Sequence, residues 1–159
     1  RTFTQQFVAL PGKSEHQTGL AIDLGLKKES IDFIRPDFPY IGICQQFREK
    51  SVPYGFIERY PREKEHITGI AHEPWHFRYV GTPHAEIMRE HHFCLEEYID
   101  FLKRFSQDQP YTFYKDSQEI QIFYLKADTE SVSLEVAEDG SLSVSGNNVD
   151  GYIITEWRG

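Results

Sequence analysis

Apolar and polar positions along the chain change their period several times, and each change marks an element. In residues 18–26, TGLAIDLGL, the side chains Leu20, Ile22 and Leu24 alternate with small or polar residues, the two-residue period of a strand. Residues 38–51, FPYIGICQQFREKS, place Tyr40, Ile41, Cys44, Phe47 and Arg48 at helical spacing, and Pro53 closes the segment. A short strand is expected at 55–60, GFIERY, a polar loop at 61–69, and a further strand at 75–80, WHFRYV. From Pro83 to Phe105 the residues Ile87, His91, Cys94, Leu95, Tyr98, Ile99, Leu102 and Phe105 recur three and four apart between charges, which predicts one long helix or two abutting ones.

Beyond Pro110 the pattern turns to short β-type runs, YTFYKD, EIQIFYLKA, SVSLEVAED, SLSVSG and GYIITEW, separated by Asp-Ser, Asp-Thr, Asp-Gly and Asn-Asn-Val-Asp-Gly turn signals. The pattern therefore predicts an α+β protein. Residues 1–109 form its main domain, with a central antiparallel sheet flanked by helices, and residues 110–159 form an antiparallel β appendage without a catalytic signature.

Composition adds limits. A chain of 159 residues with 39% hydrophobic and 14% aromatic content buries one main core. A formal net charge of -8 speaks against nucleic acid, whose recognition needs clustered Lys and Arg to neutralise phosphates. There is no apolar run of about 18 residues, so no membrane span is expected. The opening RTFTQQFVALPG has neither the basic start nor the apolar run of a signal peptide. Because the first residue is Arg1 and not Met, a segment upstream is expected to have been processed or left out. Cys44 and Cys94 both sit in amphipathic stretches, where buried free thiols are the expectation over a disulfide.

The chemistry-bearing stretch is HEPWHFRYVG at 72–81. Its His-Glu-x-x-His spelling matches the zincin signature, which needs His72 and His76 one turn apart on a continuous helix. Pro74 lies between them, and proline in a helix interior costs about 3 kcal/mol or more and biases the residue before it toward extended backbone. The segment is a strand entered through Glu-Pro, with His76, Arg78 and Val80 on one face and Trp75, Phe77 and Tyr79 on the other. His72 then has no reason to be a ligand.

A zinc keeping only His76 from this strand needs further protein ligands, and SEHQTGLAIDLG offers His16 and Asp23. A turn at Thr18-Gly19 followed by a strand folds the two back toward one ion. Asp23 in so apolar a strand, if buried, must be paired or bound to metal. Two histidines and one carboxylate form a catalytic zinc set.

Residues 14–23, SEHQTGLAID, fit the motif Ser-x-His-x-x-Gly-x-Ala-x-Asp, and residues 73–76, EPWH, fit Glu-x-x-His. Over roughly its first 105 residues the chain resembles the zinc D-alanyl-D-alanine carboxypeptidases of the VanY and VanXY type, a group related to VanX dipeptidase and to the zinc-site fold of hedgehog domains. The resemblance implies one Zn2+ held by His16, Asp23 and His76, with Glu73 as general base and acid. It further implies that Ser14 holds the substrate carboxylate, that Arg1 stabilises the developing oxyanion, that Gln6 contacts substrate and that Trp75 walls the pocket. Helices ahead of Arg1 are expected from it as well.

The implied substrates are peptidoglycan stem pentapeptides or other D-Ala-D-Ala-terminating precursors, together with the free dipeptide. L,D-carboxypeptidase action on tetrapeptide stems and a non-catalytic zinc-fold binding protein are the alternatives. Relatives work on either side of the membrane, so bacterial cytoplasm and cell envelope both stay open. His66, His72, His84, His91 and His92 need no function.

Overall fold

The computed structural model of the chain describes residues 14–127, 134 and 140–158. Arg1, Gln6 and, apart from Leu134, the β-type run at 131–139 lie outside the described residues. The chain divides into two compact units, Arg1–Glu96 and Glu97–Gly159.

The first unit is built on a three-stranded antiparallel sheet of order β1-β3-β2, comprising β1 (Ala21–Asp23), β2 (Phe56–Tyr60) and β3 (Glu73–Tyr79). Helix α1 (Gly42–Ser51) precedes β2, the single turn α2 (Glu65–Thr68) lies between β2 and β3, and α3 (His84–His91) follows β3. The strand expected at 18–26 is shorter because Glu15–Thr18 winds into a 3-10 turn, closed by Gly19 at φ 72, a left-handed conformation that glycine adopts without steric cost. The helix expected from residue 38 starts at Gly42. Phe38 precedes Pro39 and is thereby disfavoured in helical backbone, and the Phe38 and Pro39 carbonyls instead accept hydrogen bonds from Arg48 at 2.6 and 2.8 Å.

The amphipathic stretch after Pro83 is two helices, α3 and α4 (Leu95–Leu102), because His92 takes a left-handed φ of 54 and ends the first. In the second unit, β4 (Tyr111–Lys115), β5 (Gln118–Lys126), β6 (Ser141–Gly146) and β7 (Gly151–Arg158) form an antiparallel sheet of order β4-β5-β7-β6. Ile120, Ile122, Phe123 and Ile154 are buried there. Among the described residues, no helix is long and apolar enough to cross a membrane. Cys44 and Cys94 are both free and buried.

The core of the first unit lies on one face of β3. Phe38, Cys44, Trp75 and Phe77 cluster there with Leu24, Leu26, Phe47 and Phe56 around them. The Phe77 ring is fully buried and meets the Phe38 and Phe47 rings edge-on at 5.5 and 5.0 Å. Phe77→Ala is expected to cost about 3–5 kcal/mol, since a cavity remains where the ring stood. Equilibrium urea unfolding followed by tryptophan fluorescence measures it as a lower midpoint at unchanged slope.

Candidate metal centre

Because Phe77 is committed to the core, its strand neighbours His76 and Arg78 emerge on the opposite face. Antiparallel pairing of β1 with β3 sets Asp23 directly across from His76 and Ala21 across from Arg78. Directly opposed residues share a face, and the Asp23 Oδ1 lies 2.9 Å from His76 Nδ1. The turn at 15–18 then brings His16 back over β1. Its Nε2 is 3.3 Å from Asp23 Oδ2, and its ring stands edge-on to that of His76 at 4.8 Å. Ligand atoms from His16, Asp23 and His76 all fall within 4.8 Å of one another.

Glu73 reaches the same place by an irregularity. Residues three apart in a regular strand face opposite ways, which would separate Glu73 from His76. Here β2 advances from Glu58 to Tyr60 while β3 runs back from Phe77 to Glu73, a register shift that breaks the alternation. Pro74, which has no N–H to give the ladder, sits within it, and its carbonyl accepts a hydrogen bond from Arg48 at 2.8 Å. The Glu73 carboxylate consequently lies 3.8 Å from His76 Nδ1, buried beside the ligand atoms without being one of them.

The electrostatics favour a positive charge at the point of convergence. Burial alone would lower the pKa of His76, but its contacts with Asp23 and Glu15, with the Glu73 charge added, push it up to about 9. Burial pushes Glu73 up to about 7, with the Asp23 and Glu15 carboxylates adding to the rise and His76 opposing it. Burial would also raise Glu15, yet His76, Arg59 and Arg78 hold it down at about 2. Three carboxylates thus surround one buried imidazole. Two imidazoles and a carboxylate oxygen at one point are the donor set of a zinc ion with room for a further ligand, so the residues fit that metal.

Other residues fall outside this cluster. Ser14 stands at the start of the 15–18 turn, its carbonyl accepting a hydrogen bond from the Gln17 N–H at 3.2 Å and its side chain making no capping bond. Trp75 packs in the apolar cluster on the other face of β3 and borders a cavity of about 560 Å3 that Phe38, Pro39, Tyr40 and His72 also line. His72 belongs to a separate network in which the Tyr40 hydroxyl, donating to Glu58, lies 2.7 Å from its Nε2, and Arg62 lies 3.3 Å from its Nδ1. That arrangement agrees with the exclusion of a zincin helix. His84 is half-buried, and desolvation pushes its pKa down to about 4.

Sequence reasoning placed Arg78 on the face of His76 but missed Arg59, Glu15 and Glu96, which with it form a second layer behind the cluster. Arg59 and Arg78 are buried, and both point to Glu15: Arg59 Nε donates to its Oε1 at 2.8 Å, and Arg78 Nη1 lies 3.3 Å from the same oxygen. The remaining two guanidinium nitrogens of Arg59 bond the two carboxylate oxygens of Glu96 at 2.9 and 2.7 Å. One signal was available: in GFIERY, Arg59 falls at the same alternation as Ile57, and a charge on the buried side of a strand needs a partner.

The family model described as VanY, D-alanyl-D-alanine carboxypeptidase, matches residues 2–82. The chain is 55% identical over 101 residues to the bifunctional D-Ala-D-Ala dipeptidase and D-Ala-D-Ala carboxypeptidase VanXYC of Enterococcus gallinarum, covering 63% of this chain and 53% of that protein. It is 40% identical over 152 residues to a D-alanyl-D-alanine carboxypeptidase of Enterococcus faecium, covering 95% and 46% respectively. The solved structure of the vancomycin-resistance D,D-dipeptidase VanXYg with a D-Ala-D-Ala phosphinate analogue superimposes with a TM-score of 0.95 at 55% identity, covering 98% of this chain and 62% of that one. The chain spans about half the length of the curated relatives it matches.

Proposed function

The chain belongs to the VanY family of D-alanyl-D-alanine carboxypeptidases, and on that premise we propose that it is a zinc-dependent D,D-carboxypeptidase. Its substrates are peptidoglycan precursors or stem pentapeptides ending in D-Ala-D-Ala, and the free dipeptide. The observation that carries this reading is the meeting of the two motifs, with ligand atoms of His16, Asp23 and His76 within 4.8 Å and the Glu73 carboxylate 3.8 Å from His76 Nδ1.

His16, Asp23 and His76 hold the ion, which when bound supplies a Lewis acid for the peptide carbonyl and acidifies water toward neutral pH. Glu73 is the general base: it takes a proton from the attacking water as the new C–O bond forms, then delivers it to the D-alanine nitrogen as the C–N bond breaks. Its register-shifted position lets it move that proton without occupying a ligand position. Ser14, two residues before a ligand, is assigned to the terminal carboxylate of the substrate, and Arg1 and Gln6 to the oxyanion and a substrate contact; Trp75, expected to wall the pocket, packs instead in the core on the opposite face of β3 and is given no substrate role. The catalytic work is assigned to residues 1–109.

The test is D-alanine release by the zinc-loaded protein from UDP-MurNAc-pentapeptide, from UDP-MurNAc-tetrapeptide and from D-Ala-D-Ala. Release from the pentapeptide and the dipeptide, and not from the tetrapeptide, is expected. Release confined to the tetrapeptide would make the enzyme an L,D-carboxypeptidase. A zinc-loaded protein that cleaves none of the three but binds them is a recognition module.

A further inference from the structure

We propose that Glu15 is a positioning residue for the metal centre, accepting the Nε2–H of His76 so that the Nδ1 lone pair is held toward the cation. This rests on the zinc assignment above and adds to it a residue outside the ligand set.

A histidine that binds metal through one ring nitrogen must carry its proton on the other, and that N–H needs an acceptor when it is buried. The His76 ring has its Nδ1 turned to Asp23 and Glu73, at 2.9 and 3.8 Å, so Nε2 points away from the convergence point. What Nε2 faces is Glu15 Oε2, at 3.5 Å. Both atoms are buried, and neither has a hydrogen-bond partner within ordinary geometry. The two unsatisfied groups in this part of the molecule are thus a donor and an acceptor directed at each other, and a small closure of the gap satisfies both.

Glu15 is itself held in place. Its other oxygen, Oε1, takes Arg59 Nε at 2.8 Å and faces Arg78 Nη1 at 3.3 Å, while Glu96 grips the far side of the Arg59 guanidinium in a two-pronged contact. A carboxylate serving only as counterion to two arginines could use both oxygens on them. Here one oxygen is left for His76. Chain geometry adds a coupling, since Glu15 opens the same 3-10 turn that carries the ligand His16. One turn therefore delivers a ligand and the acceptor that orients a second ligand.

The test compares Glu15→Ala and Glu15→Gln with the unmodified protein, measuring zinc affinity by competition with a chromophoric chelator and the visible spectrum of the cobalt-substituted protein. Loss of the acceptor is expected to weaken zinc binding by about 10- to 100-fold and to alter the cobalt bands, because an unanchored imidazole no longer presents Nδ1 in one orientation. Glu15→Gln keeps an oxygen to face Nε2–H but only as a neutral, weaker acceptor, and is expected to lose about three- to tenfold in affinity, less than the alanine variant, with a smaller spectral change. Glu96→Gln removes the arginine's outer partner without touching His76 and should leave the cobalt spectrum nearly unchanged.

Wild-type zinc affinity and cobalt spectrum in both Glu15 variants would overturn the proposal and leave Glu15 a counterion. Should the alanine variant not fold, the glutamine variant decides alone, an unchanged affinity and spectrum counting against the proposal. Failure of the unmodified protein to take up cobalt at all would instead refute the metal assignment, which separates the two readings.

Discussion

Glu73→Gln is expected to lower D-alanine release by about a hundred- to ten-thousand-fold while zinc content and fold stay as they are. The magnitude is what a positioned general acid-base supplies. The selectivity follows from geometry: Glu73 sits 3.8 Å from His76 Nδ1 but is not one of the converging ligand residues, so an isosteric amide leaves His16, Asp23 and His76 undisturbed. Glutamine cannot accept and return a proton, yet it fills the same buried space. Replacing a carboxylate by an amide also removes one of the three negative charges around His76, and its effect on metal retention is small because Asp23 and Glu15 remain in contact with that ring. The assay is steady-state release from UDP-MurNAc-pentapeptide, with zinc measured per chain on the same samples. Unaltered release would remove Glu73 from the mechanism.

The second large effect is on the metal itself. His76→Ala is expected to abolish activity and stoichiometric zinc retention together, and chelation of the unmodified protein should do the same reversibly on re-addition of zinc. Of the three proposed ligand side chains His76 is the least exposed, at 6% against 43% for His16 and 31% for Asp23, so its loss is expected to weaken retention most. Zinc present at about a thousand times its dissociation constant stabilises the folded protein by about 4 kcal/mol. In a chain of this size that is a rise of the order of 10 °C in melting temperature. Differential scanning calorimetry with and without zinc checks it. The rise should be present in the unmodified protein and absent from His76→Ala.

How far the sequence revealed this site depended on whether each element rested on local or distant chemistry. Pro74 made its statement locally: it ruled out the helix that would have joined His72 to His76, and His72 indeed lies in a separate network with Tyr40 and Arg62. Alternation along TGLAIDLGL and WHFRYV likewise put Asp23 and His76 on polar faces, because Ile22 and Phe77 needed the other faces, and the two strands pair so that Ile22 opposes Phe77.

Two features were not readable in the same way. The register shift between β2 and β3 that turns Glu73 toward His76 depends on which residues oppose each other, and pairing is a property of two strands. Arg59 meets Glu15 and Glu96 across separations of 44 and 37 residues, so no local period could link them.

His16, Asp23 and His76 are proposed to hold one zinc ion. Diffraction data collected on either side of the zinc absorption edge, from crystals of the protein loaded with one equivalent of zinc, test it most directly. A single anomalous peak is expected, bounded by His16 Nε2, the Asp23 carboxylate and His76 Nδ1, present above the edge and lost below it. A peak elsewhere, or none between those three side chains in fully loaded protein, would contradict it.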